Sequence, residues 1–298
     1  MFKNLMIYRL DPDWSMELDA MEAVLATMPF APCGATQAES SGWVPPRGQQ
    51  HAALVESIAG QRILRFQIEA KSVPSDVVKR KLDERLILIE QNEGRKPGRK
   101  EQRELKDEIA RELMQHAFPK TATILVWFDL QRGRLMLDCS SQGKSDTLIS
   151  TLVQCLPGLR VSLLDTEVAP QAAMTQWLAG EPEDWPEQFA AGRFVELHDG
   201  SETKATVKFD RHHLDDDQMR LHISQGKPPT QLALDWQGRV SFVLTEGGQL
   251  KKIAFLDGAF DEQSGADDQG GFDADVALAT GELSELITDL IDALGGEA

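Results

Sequence analysis

Three stretches of the chain carry residue types that could do chemistry. Gly143-Lys144-Ser145 follows a predicted strand and precedes a predicted helix, as the end of a phosphate-binding P-loop would. That motif also needs a glycine five residues before Gly143, and the position holds Asp138, whose carboxylate would repel phosphate. A turn with a helix N-cap at Ser145 is the plainer reading. His212-His213, followed by Asp215, Asp216 and Asp217, raises a metal site. Adjacent histidines on a helix diverge by about 100°, so a solvated helix start, its acids favoured by the helix dipole, fits better. His51, His116 and His198 have no nucleophile signature beside them, and Cys33, Cys139 and Cys155 form no CxxC pair. No catalytic residue, metal ligand or cofactor is therefore assigned, and the expectation is a protein that is not an enzyme. No carboxylate cluster has the spacing of a two-metal nuclease.

The third stretch is cationic. Arg95-Lys96-Pro97-Gly98-Arg99-Lys100 puts four cations in six residues, with Arg103 one turn on. Lys and Arg gathered this way displace counterions from a nucleic-acid backbone whatever its base sequence. The competing reading is a solvated, salt-bridged surface, because Glu90, Glu93, Glu101 and Glu104 are interleaved. Lys79 and Lys81 lie upstream on the same arm. A second set comprises Lys204, Lys208, Arg211, Arg220 and Lys227. Zinc-finger, recognition-helix and aromatic-stacking signatures are all missing, so any DNA contact is expected to be independent of sequence.

These cations need elements to hold them. Positions 74–91 and 99–116 read as two helices broken at Gly94, Pro97 and Gly98, an antiparallel arm with the cluster in its turn. A strand at 2–10, a helix from an N-cap at Ser15 to Pro29, a loop at 32–46 and a strand at 62–70 precede the arm. A hairpin (121–130, 135–139), a helix (145–156), a strand (160–165) and a helix (170–179) follow it. The Pro/Gly-rich segment 180–192 suggests a lobe boundary. Beyond it come strands near 193–198 and 204–209, a helix near 214–224, and strands at 230–236, 239–245 and 250–256. After a loop at 257–271, a last helix shows Leu283, Leu286, Ile287, Leu290 and Leu294 as its apolar stripe. Mixed helices and adjoining strands make the class α+β.

Charge is segregated along the 298 residues. Lys71 to Arg111 holds 12 cations against 9 carboxylates, while Ile253 to Ala298 has 12 carboxylates and no Lys or Arg. The formal charge of −17 repels a polyanion overall, unless the cations are collected on one surface. No apolar run reaches the ~18 residues of a membrane span, the first residues lack a signal-peptide pattern, and three scattered thiols favour a reducing compartment. The expectation is a cytoplasmic protein with no membrane partner.

Phe2-Lys3-Asn4-Leu5, Pro32-Cys33-Gly34 with Gly42-Trp43-Val44-Pro45-Pro46, Leu232-Ala233-Leu234-Asp235-Trp236, and Thr280-Gly281-Glu282-Leu283 with Leu294-Gly295-Gly296-Glu297 stand in one order along the chain. In them the chain resembles the bacterial recombination-associated protein RdgC family, over nearly its whole length. The resemblance implies an elongated, curved, multi-lobed α+β monomer with mixed antiparallel sheets and a helical arm. Two such monomers would form a ring-shaped homodimer that binds double-stranded DNA without sequence preference, sits on the nucleoid, and restrains the RecA recombinase. Carried over, residues 1–72 and 120–180 would be a central lobe, 73–119 a tip lobe containing the arm, and 181–298 a base lobe ending in the acidic helix. Phe118 would lie where two tips meet. By pattern alone, Phe118 could instead tuck back onto its own lobe. The rival to DNA binding is an acidic scaffold that takes a protein partner through its C-terminal helix.

Overall fold

The computed structural model describes residues 2–48, 53–200, 205–212, 217–256 and 270–298. The chain is α+β, with two antiparallel sheets among the described residues. The first contains β1 (Met6–Leu10), β2 (Glu39–Val44), β3 (Val55–Ile58), β4 (Gln61–Lys71), β5 (Pro119–Asp129), β6 (Arg134–Leu137) and β7 (Val161–Leu163). Its order is β2-β4-β5-β6-β1-β7, and β3 shares the outer edge of β4 with β2. The second sheet, ordered β12-β11-β10-β8-β9, contains β8 (Phe189–His198), β9 (Thr206–Asp210), β10 (Pro229–Trp236), β11 (Val240–Thr245) and β12 (Leu250–Phe255).

Period-2 alternation gives the first sheet two different faces. Leu64, Phe66 and Ile68 of β4, with Ile124, Val126 and Phe128 of β5, are buried with α1 (Leu18–Leu25) and α4 (Gln142–Cys155). Ile63, Trp127, Ile7 and Met136 point the other way. They join a core with the second sheet, α5 (Pro170–Ala179) and α7 (Gly270–Ala293). Backbone bonds stitch the sheets together, Leu5 N–H to the Leu250 carbonyl at 2.7 Å and the return bond at 3.0 Å. The apolar stripe of α7 lies in this core, with Leu283 and Leu286 fully buried. That helix is consumed by its own chain.

The loop expected at 32–46 is corrected by β2. The paired prolines 45 and 46 fall just beyond the strand, and Gly42 is what lets it form. A Cβ on Gly42 would stand 2.5 Å from the Phe30 backbone nitrogen, so only glycine permits the chain at 29–30 to lie against the strand. Trp43 is then buried edge-on against Phe66, ring centroids 4.9 Å apart. The helix start is corrected too. α4 begins at Gln142 with Ser141 at the N-cap position, whereas Ser145 is buried in the first turn, its hydroxyl 2.6 Å from that of Tyr8. In α1 the N-cap position is Glu17 rather than Ser15. The N-terminal strand starts at Met6, because Phe2 turns into the core and packs on Trp127.

The arm grows out of the middle of the first sheet. The chain leaves β4 at Lys71, runs up α2 (Ser75–Glu93), turns, and returns along α3 (Arg99–Gln115) into β5. Gly94 caps α2 at φ +68°, and Gly98 stands at the N-cap of α3. Only Val78 of α2 and Ile109 of α3 are buried, so the hairpin has a thin apolar seam. Ion pairs flank it, Lys81 to Glu112 at 3.7 Å and Arg85 to Glu108 at 3.4 Å.

Candidate nucleic-acid interface

The cations expected to meet phosphate fall into three separate places. Arg95, Lys96, Arg99, Lys100 and Arg103 are all exposed around the arm's turn. Lys79 and Lys81 lie near the root of α2, about 21 and 18 Å from its last residue, Glu93, at the helical rise per residue. The remaining set belongs to the second sheet and its helix α6 (Asp217–Ser224).

Within the turn the side chains are not equivalent. Arg95 donates to both carboxylate oxygens of Glu101, at 2.7 and 2.9 Å, and also meets Glu93 at 2.8 Å. The same guanidinium draws the Glu101 carboxyl below its ordinary range, chiefly through those hydrogen bonds. Lys96 and Lys100 have longer partners, Glu90 at 3.5 Å and Glu104 at 4.0 Å. Arg99 and Arg103 make no ion pair among the described residues. Pairs this exposed are screened by water and exchange readily for a stronger anion. Arg95 is thus a tied surface cation, Lys96 and Lys100 are loosely paired, and Arg99 and Arg103 are the unpaired cations of the turn among the described residues.

In the second set, Lys208 on β9 pairs with Glu196 at 2.7 Å. Arg211 is exposed just after β9, with backbone φ +57°. Arg220 of α6 is half-buried and donates to the Gly180 carbonyl at 3.2 Å, which joins α6 to the end of α5. Lys227 lies 3.1 Å from the Nδ1 of His222. Lys204 and His213 lie outside the described residues. Among the described residues no group of three or more His, Cys, Asp and Glu could hold a metal ion. At the P-loop-like stretch, Asp138 instead accepts the backbone N–H groups of Lys3 and Asn4, at 3.1 and 2.9 Å. Burial pushes its carboxyl above the ordinary range.

Phe118 is 91% exposed. It sits between α3 and β5, next to the Lys71–Pro119 pair that ends the β4–β5 ladder. That places it at the root of the arm, one α3 length from the cationic turn. It does not tuck back onto its own chain.

The acids of the last helix are answered from elsewhere in the fold, which the sequence had no local way to signal. Glu285 meets Arg132 at 2.6 Å, Glu282 pairs with Arg239, and Asp273 pairs with Arg47. Glu297 holds Arg134 at 3.2 Å and Arg9 at 3.1 Å. The Asp289 carboxylate accepts the Trp236 indole N–H at 2.7 Å. Asp273, Glu282, Glu285 and Asp289 of the helix are thus engaged within the chain, and Asp275 and Asp292 are not, among the described residues.

Comparison with known proteins gives this arrangement a context. The profile of one family, described as "Putative exonuclease, RdgC", matches residues 1–297. A protein of Dechloromonas aromatica named recombination-associated protein RdgC is 41% identical, covering 99% of this chain and 98% of its own. Proteins of the same name from Cupriavidus necator and Herminiimonas arsenicoxydans are 40% and 38% identical over 99% of this chain. The chain belongs to the RdgC family. It is on these grounds a recombination-associated protein. The RdgC resemblance rests on residues that build the fold. Gly42 and Trp43 fix β2, Leu234 and Trp236 are buried in the second sheet, and Thr280 and Leu283 are buried in α7. No helix of the described residues is long and apolar enough to cross a membrane.

Proposed function

We propose that the protein is a ring-shaped homodimer that encircles double-stranded DNA without sequence preference and so limits access of the RecA recombinase. The observation that carries this reading is Phe118, a lone aromatic held in water at the root of a cationic arm. An exposed aromatic so placed calls for a partner surface, and burying a Phe side chain stabilises a contact by ~1.5–3 kcal/mol. A second copy supplies that surface, with the arms arranged so that Lys96, Arg99, Lys100 and Arg103 face the phosphates. Encirclement makes detachment slow even when few phosphates are held. A net charge of −17 is then compatible with DNA binding, since acids on the outer surface aid solubility and discourage stacking on a second duplex.

The test is a mobility-shift series on unrelated duplexes at several salt concentrations. Binding is expected on all of them with similar affinity, weakening with a log–log slope of ~−0.9 for each phosphate neutralised. An affinity that is flat from low to physiological salt, or confined to one sequence, would overturn the proposal. Absence of binding at low salt would leave the acidic-scaffold reading.

A further inference from the structure

We infer that the open face of the β4–β5 ladder is an additional contact for the DNA backbone, formed by Arg65, Gln67, Thr121 and Thr123. This rests on the DNA-binding reading and names a surface that the cation clusters do not include. β4 and β5 pair antiparallel from Arg62–Phe128 to Lys71–Pro119. On the face that carries Ile63 and Trp127, the shared core reaches as far as Leu125, which stands opposite Arg65. Beyond that pair, Gln67, the buried Glu69 and Lys71 from β4 stand opposite Thr123, Thr121 and Pro119 from β5.

The two outermost β4 side chains are occupied. The Glu69 carboxylate accepts the Cys33 N–H at 2.8 Å, and the Lys71 ammonium donates to the Gly34 carbonyl at 2.9 Å. The inner group is not. Arg65 is half-buried beside the backbone at Gly48 and makes no ion pair or hydrogen bond among the described residues. Burial without an anion draws its guanidinium below the usual arginine range. The Gln67 amide and the two threonine hydroxyls likewise have no side-chain partner there, and both threonines are exposed. Gln67 and Thr123 stand directly opposite, with Arg65 and Thr121 in the next pairs of the same face, two positions away on either side.

A guanidinium with no counter-ion among the described residues, next to an amide and hydroxyls and with the neighbouring Glu69 carboxylate buried on the Cys33 N–H, suits a phosphodiester oxygen. Arg, Gln and Thr side chains are among the usual donors to DNA phosphates, and they carry no base preference. A partly desolvated arginine gains more from one such anion than a fully solvated lysine does.

The test uses the full chain and random-sequence duplex DNA. Arg65→Gln should lower the salt slope by ~0.9, the value for one phosphate contact, and weaken binding several-fold at 0.1 M salt. Thr123→Glu changes an exposed side chain and leaves Arg65 in place, so it probes the face even if Arg65→Gln disturbs folding. Repulsion of phosphate should make its loss at least as large, with a melting curve like wild type. Wild-type binding with both the slope and affinity of Thr123→Glu unchanged would overturn this inference and leave the DNA reading standing. If the wild-type protein itself fails to bind, both fall.

Discussion

Reversing the charge at the arm's turn, with Arg95, Lys96, Arg99 and Lys100 all changed to Glu, should cut DNA affinity by hundreds-fold at 0.1 M salt. Each cation on a phosphate contributes ~0.9 to the salt slope. Arg95 is expected to contribute least, because Glu93 and Glu101 already hold it. Three effective contacts then remove ~2.7 units of slope, roughly 500-fold at 0.1 M against a 1 M reference. The fold should not suffer. These side chains are all exposed, and the arm's seam at Val78 and Ile109 is untouched. The measurement is the salt-dependent mobility shift beside a thermal melt. Single changes refine it, since Arg99→Ala should cost more affinity than Arg95→Ala. If the fourfold variant binds like wild type, the turn is only a salt-bridged surface.

The second large effect concerns Phe118. Phe118→Ala removes little contact within the chain, because the residue is 91% exposed, so the monomer should melt as wild type does. In the proposed dimer the ring is an aromatic anchor, and truncating such an anchor commonly costs ~2 kcal/mol or more. One of the two contacts that close the ring should then open, leaving a dimer held by the other. Sedimentation should still show a dimer, while retention on closed circular DNA drops to that on short linear fragments. A variant that keeps the wild-type hold on circles would show that Phe118 does not close a ring.

Elements with strong local punctuation were readable without coordinates. Gly94 and Gly98 bracket the arm's turn as expected, and every residue of the apolar stripe expected on the last helix is buried. β2 was hidden because its defining residue has no side chain: Gly42 matters for a backbone 2.5 Å from where its Cβ would be, a fact of tertiary structure alone. Ser145 looked like a cap because serine favours that position, but its hydroxyl is spent on Tyr8 in the interior. The candidate interface was legible only in part. A run of cations is visible in one dimension, whereas its partition into tied Arg95 and untied Arg99 depends on which carboxylates the turn brings close. Arg65 gave no signal in an alternating strand, where a polar residue on the second face is ordinary. Acids of α7 read as an open charged surface in the sequence, whereas Arg47, Arg132 and Arg239 meet three of them in the fold.

The most direct test of encirclement compares wild-type dissociation from a covalently closed circle with that from the same circle cut once, under excess competitor. Both substrates offer the same phosphates, so local contacts alone predict equal rates. A closed ring is trapped on the circle and slides off the cut ends, so the account predicts clearly slower loss from the closed form. Equal dissociation from the two forms would contradict it.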